Sequence, residues 1–152
     1  MHVVLHEPEI PQNTGNIART CAVTGTILHL VKPLGFSIED RYLKRAGLDY
    51  WNQVELHCWD NFQQLLAAYI GGRFYYLTTK GNRSYHTITY QSDDFLVFGS
   101  ETRGLPDELL TANKEFCLRV PMRPGLRSLN LSNTVALVLY EGLRQQGFVN
   151  LV

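Results

Sequence analysis

Short, mostly apolar runs recur along the chain, separated by helix-patterned stretches and by turns rich in Pro, Gly and Asn. Residues 2–6, 27–31, 74–78, 95–98 and 116–120 are of this kind, with 54–57 a further candidate. A strand with one wet face alternates apolar and polar residues; a strand covered on both faces reads as a continuous apolar run. Between these runs, Ile17, Cys21 and Thr24 follow i, i+4, i+7 spacing and end at Gly25, after a turn over residues 8–15. Trp59, Phe62, Leu65, Leu66, Tyr69 and Ile70 keep helical spacing and stop at Gly71-Gly72. A short basic helix is expected at 40–46, a helix start at Pro106, and the longest helical pattern over 128–146. Strand alternating with helix gives an α/β fold, a mainly parallel sheet flanked by helices. Ligands of such sheets sit beyond the carboxyl ends of the strands, so the loops after Leu5, Thr78, Phe98 and Val120 are the places to look.

Composition narrows the function classes. A length of 152 residues suits a single domain spanning 1–152, and 45% apolar content is enough for a core. Fourteen basic residues balance fourteen acidic ones, which excludes a polybasic binder but allows local patches. No apolar run exceeds the length of residues 135–140, which falls far short of the ~20 residues of a membrane span. The first residues show no basic segment or cleavage site, so no secretory signal is expected. Cys21, Cys58 and Cys117 form no C-x-x-C pair and read as packing residues, which together point to a reducing cytoplasm. The five histidines share no metal-ligand spacing, and no metal site is expected. No Gly-x-Ser-x-Gly, Gly-x-Gly-x-x-Gly or P-loop pattern occurs.

Three loops carry unusual chemistry. Asn13-Thr-Gly-Asn-Ile-Ala-Arg19 offers Asn13 or Thr14 as a helix cap, with Arg19 further in. Phe98-Gly-Ser-Glu-Thr-Arg-Gly104 brackets four polar residues between glycines directly after a buried strand, as a loop does whose backbone faces a ligand. Val120-Pro-Met-Arg-Pro-Gly-Leu-Arg-Ser-Leu-Asn130 is stiffened by two prolines before Ser128 or Asn130 opens the last helix. Charge is segregated: no acid lies between Glu115 and Glu141, an interval holding Arg119, Arg123 and Arg127. Arg73, Lys80 and Arg83 fall in a second acid-free stretch, and Arg41, Lys44 and Arg45 form a third cluster, so a basic face toward a polyanion is expected. The last helix is apolar nearly all round, which predicts burial on more than one side and a homodimer.

At these loops the chain resembles the SPOUT superfamily of methyltransferases, and within it the small tRNA 2′-O-methyltransferases of the TrmL (YibK-like) type. The resemblance rests on residues 7–19, 98–104 and 128–136, with further stretches at 33–36, 45–50 and 77–81, and runs from about residue 2 to 147. It implies a SPOUT-type sheet with a C-terminal trefoil knot, a homodimer, and bound S-adenosyl-L-methionine. The donor contacts it implies are Leu77, Thr78, Gly99, Glu101, Gly104, Val120, Met122, Ser128 and Leu129. The catalytic set is Arg19, Glu101, Ser128 and Asn130. The implied substrate is the ribose of the wobble nucleotide, cytidine or modified uridine 34, in the anticodon stem-loop of leucine tRNAs. Arg41, Lys44, Arg45, Lys80, Arg103, Arg123 and Arg127 are the candidates for its phosphates. Ser100, Leu129, Ala18 and His6 depart from the residues usual in the family. Another tRNA or rRNA position, or a catalytically idle RNA-binding dimer, are the alternative readings.

Methyl transfer to a 2′-hydroxyl is an in-line displacement, so the protein must align the reactants and handle one proton. A guanidinium stays protonated, which suits Arg19 to stabilising a developing alkoxide rather than to taking the proton. Solvent, Glu101 or Glu7 are the candidate acceptors.

Overall fold

A computed structural model describes residues 1–38 and 50–152, so the helix expected at 40–46 lies outside the described residues. Seven strands form one sheet: β1 (His2–His6), β2 (Ile27–Val31), β3 (Leu56–Trp59), β4 (Phe74–Leu77), β5 (Arg83–Ser84), β6 (Phe95–Phe98) and β7 (Cys117–Arg119). Their order is β3-β2-β1-β6-β4-β7-β5, and every pairing is parallel. The central strand β1 pairs Val4 with His29 on one side and with Val97 on the other. Both faces of the sheet are covered, as mostly apolar strands require. Val3, Leu5, Leu28, Leu30, Leu96 and Phe98 pack in one cluster with Ile17, Val135 and Leu139, which belong to α1 (Pro11–Thr24) and to the last helix. Val4, Val31, Tyr76 and Val97 pack in the other, with Phe62 and Leu65 of α2 (Phe62–Ala68) and Leu110 of α3 (Asp107–Ala112).

Element ends differ from expectation for local reasons. The turn expected over 8–15 is shorter, because α1 starts at Pro11, whose fixed φ and missing N–H suit a first helical position. Trp59 closes β3 rather than opening a helix; a 3₁₀ turn over Trp51–Gln53 shifts that strand two residues along. Helix α2 begins where the Asn61 side chain accepts from the Gln64 amide. The last helix, α4 (Leu131–Gln145), starts three residues later than expected, with Asn130 as its cap. Val135, Val138 and Leu139 of α4 are buried, whereas Leu137 and Tyr140 are 39% and 44% exposed. No helix of the described residues is long and apolar enough to cross a membrane.

Candidate active site

The carboxyl ends of β1, β4, β6 and β7 lie along one edge of the sheet, and a cleft of about 730 Å³ opens above it. Its walls come from four places: Leu77 to Lys80 after β4, Phe98 to Leu105 after β6, Val120 and Met122 after β7, and Arg127 to Leu131 leading into α4. Ile10 and Asn13 of the α1 start complete it. Gly99 is required by close approach: a Cβ there would collide with the Gly104 carbonyl carbon and the Leu105 nitrogen. The loop closes on itself through the Gly104 amide, which donates to the Ser100 carbonyl at 2.9 Å, and the Arg103 amide, which donates to Ser100 Oγ at 3.3 Å.

Glu101 holds the start of α1. Ile10, the residue before Pro11, carries no side-chain acceptor for the orphaned amides of the first turn. Glu101 holds the segment just before the helix instead, from a distance of 92 residues in sequence: Oε2 accepts from the Glu9 amide at 2.8 Å. Its Oε1 accepts from the Ile10 amide at 3.2 Å and from Asn13 Nδ2 at 3.0 Å. A carboxylate there also opposes the positive end of the helix dipole. Neither Asn13 nor Thr14 caps the helix. The Asn13 amide instead spans the cleft wall, donating to Glu101 and accepting from Asn130 Nδ2 at 3.0 Å. Asn130 Oδ1 in turn accepts from the Ser132 amide at 2.9 Å and the Asn133 amide at 3.3 Å, so one chain of amides ties both helix starts to the glycine loop. Thr102 Oγ1 donates to the Glu9 carboxylate at 2.7 Å, a second stitch between the same segments. Sequence reasoning missed the roles of Asn13, Glu9 and Thr102; the visible signal was a Pro11 helix start with no local cap.

The structure brings Leu77, Thr78, Gly99, Glu101, Gly104, Val120, Met122, Ser128, Leu129 and Asn130 together along this one cleft. It does not bring Arg19 there. Arg19 lies six residues beyond Asn13, about 240° around the helix and ~9 Å further along. It is exposed, and its guanidinium carbon stands 4.8 Å from the centre of the Tyr50 ring. Arg127 and Lys80 line the cleft; Arg123 is exposed and does not. Lys80 Nζ pairs with Asp107 at 2.6 Å, and Arg103 pairs with Glu7 at 3.1 Å. Glu7 holds φ 52°, in the left-handed region that non-glycine residues rarely occupy. Lys80, Arg103, His6 and Glu7 also line a second cavity of about 270 Å³. Among the described residues, Arg119, Arg123 and Arg127 have no acidic partner. Arg41, Lys44 and Arg45 lie outside the described residues.

The remaining titratable groups sit apart from the cleft. Trp59 Nε1 donates to His29 Nδ1 at 3.1 Å, which leaves the His29 proton on Nε2, facing His2 Nδ1 at 2.9 Å. Both rings are therefore held neutral: burial first, then neighbouring positive groups, push His29 down to about 3 and His2 down to about 4. Burial pushes the Cys21 thiol up to about 12. Cys58 is exposed on β3 and does not pack as expected, while Cys21 and Cys117 do. Among the described residues, no group of three or more His, Cys, Asp or Glu side chains is arranged to hold a metal ion.

The sequence matches the model of the SpoU rRNA methylase family over residues 1–140. It is 54% identical over 151 residues to the tRNA (cytidine(34)-2′-O)-methyltransferase of Methylovorus glucosotrophus, covering 99% of this chain and 98% of that one. The fold superposes with TM-score 0.91 and 45% identity on a solved structure described as giving insights into the 2-OH methylation of C/U34 on tRNA, covering 96% of this chain and 95% of that one. An AdoMet-bound rRNA methyltransferase from Sinorhizobium meliloti superposes with TM-score 0.84 and 25% identity over 94% of this chain and 55% of that one. The parallel sheet, the cleft at its carboxyl edge and these likenesses together establish that the chain belongs to the SpoU methylase family.

Proposed function

We infer that the protein is an S-adenosylmethionine-dependent tRNA 2′-O-methyltransferase acting on the ribose of the wobble nucleotide, cytidine or modified uridine 34. Leucine tRNAs are its substrates, presented by their anticodon stem-loops. It works in the cytoplasm as a homodimer of single-domain subunits spanning residues 1–152. The observation that carries the reading is the convergence of the loops after β4, β6 and β7 on one cleft, in a chain so similar to a named tRNA (cytidine(34)-2′-O)-methyltransferase.

The cleft fits the methyl donor. Its volume of about 730 Å³ lies inside the ~300–1,000 Å³ range of small-molecule sites. Apolar Leu77, Val120, Met122 and Leu129 would hold the adenine, with Thr78, Gly99 and Gly104 presenting backbone groups to it. Ser128 and Glu101 would face the polar parts. When bound, the donor supplies a methyl group on a positively charged sulfur. Asn130 and Asn13 fix the two helix starts, so the walls are set before substrate arrives. The oxygens of Glu101 are engaged by three N–H donors, and Glu7 by Arg103. With Glu101 so engaged, the proton of the ribose hydroxyl passes to solvent or, once Arg103 has exchanged Glu7 for a phosphate, to Glu7.

Arg19 donates N–H groups to the developing alkoxide at the 2′-oxygen. It does so from the second subunit, since within one chain it stands away from the cleft. The apolar residues left exposed on α1 and α4, Val23 at 48% with Leu137 and Tyr140, support such a pairing. Lys80, Arg103, Arg123, Arg127, Arg41, Lys44 and Arg45 meet tRNA phosphates, the first two exchanging Asp107 and Glu7 for them. A trefoil knot in the C-terminal part belongs to this reading as the SPOUT resemblance implies, with β7 seated beside β4: the Thr78 amide donates to the Leu118 carbonyl at 2.9 Å. A Cβ on Gly81 would meet the Leu118 carbonyl carbon at 2.7 Å.

Calorimetry with S-adenosylmethionine, followed by methyl transfer to unmodified leucine tRNA, tests the reading. Donor binding and ribose methylation are expected. RNA binding with no donor heat would identify an idle RNA-binding dimer instead, and methylation of rRNA alone would move the target.

A further inference from the structure

A catalytic guanidinium on a long side chain must be oriented before the reaction, or its rotamer freedom is lost at the barrier. The usual orienting partner, a carboxylate, has a drawback here. It would occupy the in-plane N–H donors and cancel the charge that the alkoxide needs. No carboxylate among the described residues pairs with Arg19. An aromatic face lies beneath it instead: the guanidinium carbon is 4.8 Å from the Tyr50 ring centre, within the ~6 Å reach of a cation–π contact. When the two planes stack, such a contact uses the flat face of the guanidinium and leaves the edge donors and the charge available.

The platform is itself anchored. Tyr50 precedes the 3₁₀ turn Trp51–Gln53, and its carbonyl accepts from the Gln53 amide at 2.9 Å and the Val54 amide at 3.1 Å. Trp51, the first residue of that turn, and Val54, just after it, pack against the core shared by α1 and α4. The ring is thus tied to the same core as the helix that carries Arg19, which fixes one relative to the other.

We propose that Tyr50 is a positioning residue: its ring face holds the Arg19 guanidinium oriented, donors outward, for the acceptor ribose. The proposal rests on the reading of Arg19 given above. Residue 50 needs an aromatic face and not a hydroxyl, so electron density in the ring is the property that matters.

The test is steady-state methyl transfer to tRNA by full-length protein carrying Tyr50→Phe, Tyr50→Leu, or phenylalanines of increasing fluorination at position 50, alongside Arg19→Ala. Tyr50→Phe is expected to keep kcat within about twofold, and Tyr50→Leu to lower it about tenfold with KM for S-adenosylmethionine unchanged. Along the fluorinated series, log kcat is expected to fall stepwise, because fluorine drains the ring face while leaving its shape nearly constant. A flat series would show that the ring merely packs and would overturn the proposal, even if Tyr50→Leu fails to fold. Arg19→Ala with wild-type kcat would instead defeat the reading of Arg19, and the proposal with it.

Discussion

Replacing Glu101 by Gln separates a structural clamp from a passive loop residue. In the protein its Oε1 accepts two N–H groups, from Ile10 and Asn13, and its Oε2 accepts one, from Glu9. A glutamine can keep its oxygen toward Ile10 and Asn13, but its NH₂ then faces the Glu9 amide, donor against donor. One charge-assisted bond is lost, the other two become neutral, and an amide is left unpaired. For a partly exposed group this amounts to about 2 kcal/mol. In a chain of this size each kcal/mol lowers Tm by about 2–4 °C, so a drop of about 4–8 °C is expected in a thermal melt. Glu101→Ala, which loses all three, falls further, by about 3 kcal/mol in total. Both the glycine loop and the α1 start wall the cleft, so donor affinity measured by calorimetry weakens about tenfold, the equivalent of ~1.4 kcal/mol. In combination with Asn13→Ala the losses are less than additive, by at least about 0.5 kcal/mol, because the two side chains share a bond. A Glu101→Gln protein melting within ~1 °C of the parent and binding the donor equally well would refute the clamp.

Gly99→Ala places a methyl group against the backbone of Gly104 and Leu105, so the loop must shift; calorimetry is expected to show donor binding lost while far-UV circular dichroism stays close to native. Stability declines on acidification through His29 and His2, whose folded values lie below the ordinary 6.5. The unfolded chain takes up their protons first, so stability is full above about 6.5 and drains as pH falls toward about 3–4, at up to ~1.4 kcal/mol per pH unit for buried His29. Urea melts at successive pH values check this, and His29→Gln is expected to flatten the slope; an unchanged slope would contradict it. Arg127→Ala should weaken tRNA binding on every sequence tested and reduce the salt dependence of log Kd by about one phosphate contact, a slope change of ~0.7–0.9. A salt slope identical to that of the parent would remove Arg127 from the RNA surface.

The parallel sheet was legible because burial on both faces writes itself into a strand as a run of apolar residues, and β1, β2 and β6 carry such runs, broken inside β2 by the buried His29. The edge that holds the cleft followed from the alternation of strand and helix, and the residues found to line the cleft came from the family resemblance. What escaped was non-local. The carboxylate that holds the segment entering α1 lies 92 positions away, which no spacing rule within a window can register. Lys80 and Arg103 looked like free cations because Asp107 and Glu7, their partners, lie 27 and 96 positions off. The two-residue strand β5 is too short to carry any periodicity. Within one chain Arg19 stays away from the cleft because helix geometry turns it from Asn13, a consequence of α1 starting at Pro11 and not after Gly15.

Ribose methylation mapped by mass spectrometry in total tRNA, from cells lacking this protein and from the same cells after its return, bears most directly on the central claim. A 2′-O-methyl group at the wobble pyrimidine of leucine tRNAs is predicted to vanish and reappear with the protein, and to stay absent when the returning copy carries Arg19→Ala. An unchanged wobble ribose, with the methyl change at another tRNA position or in rRNA, would contradict the account.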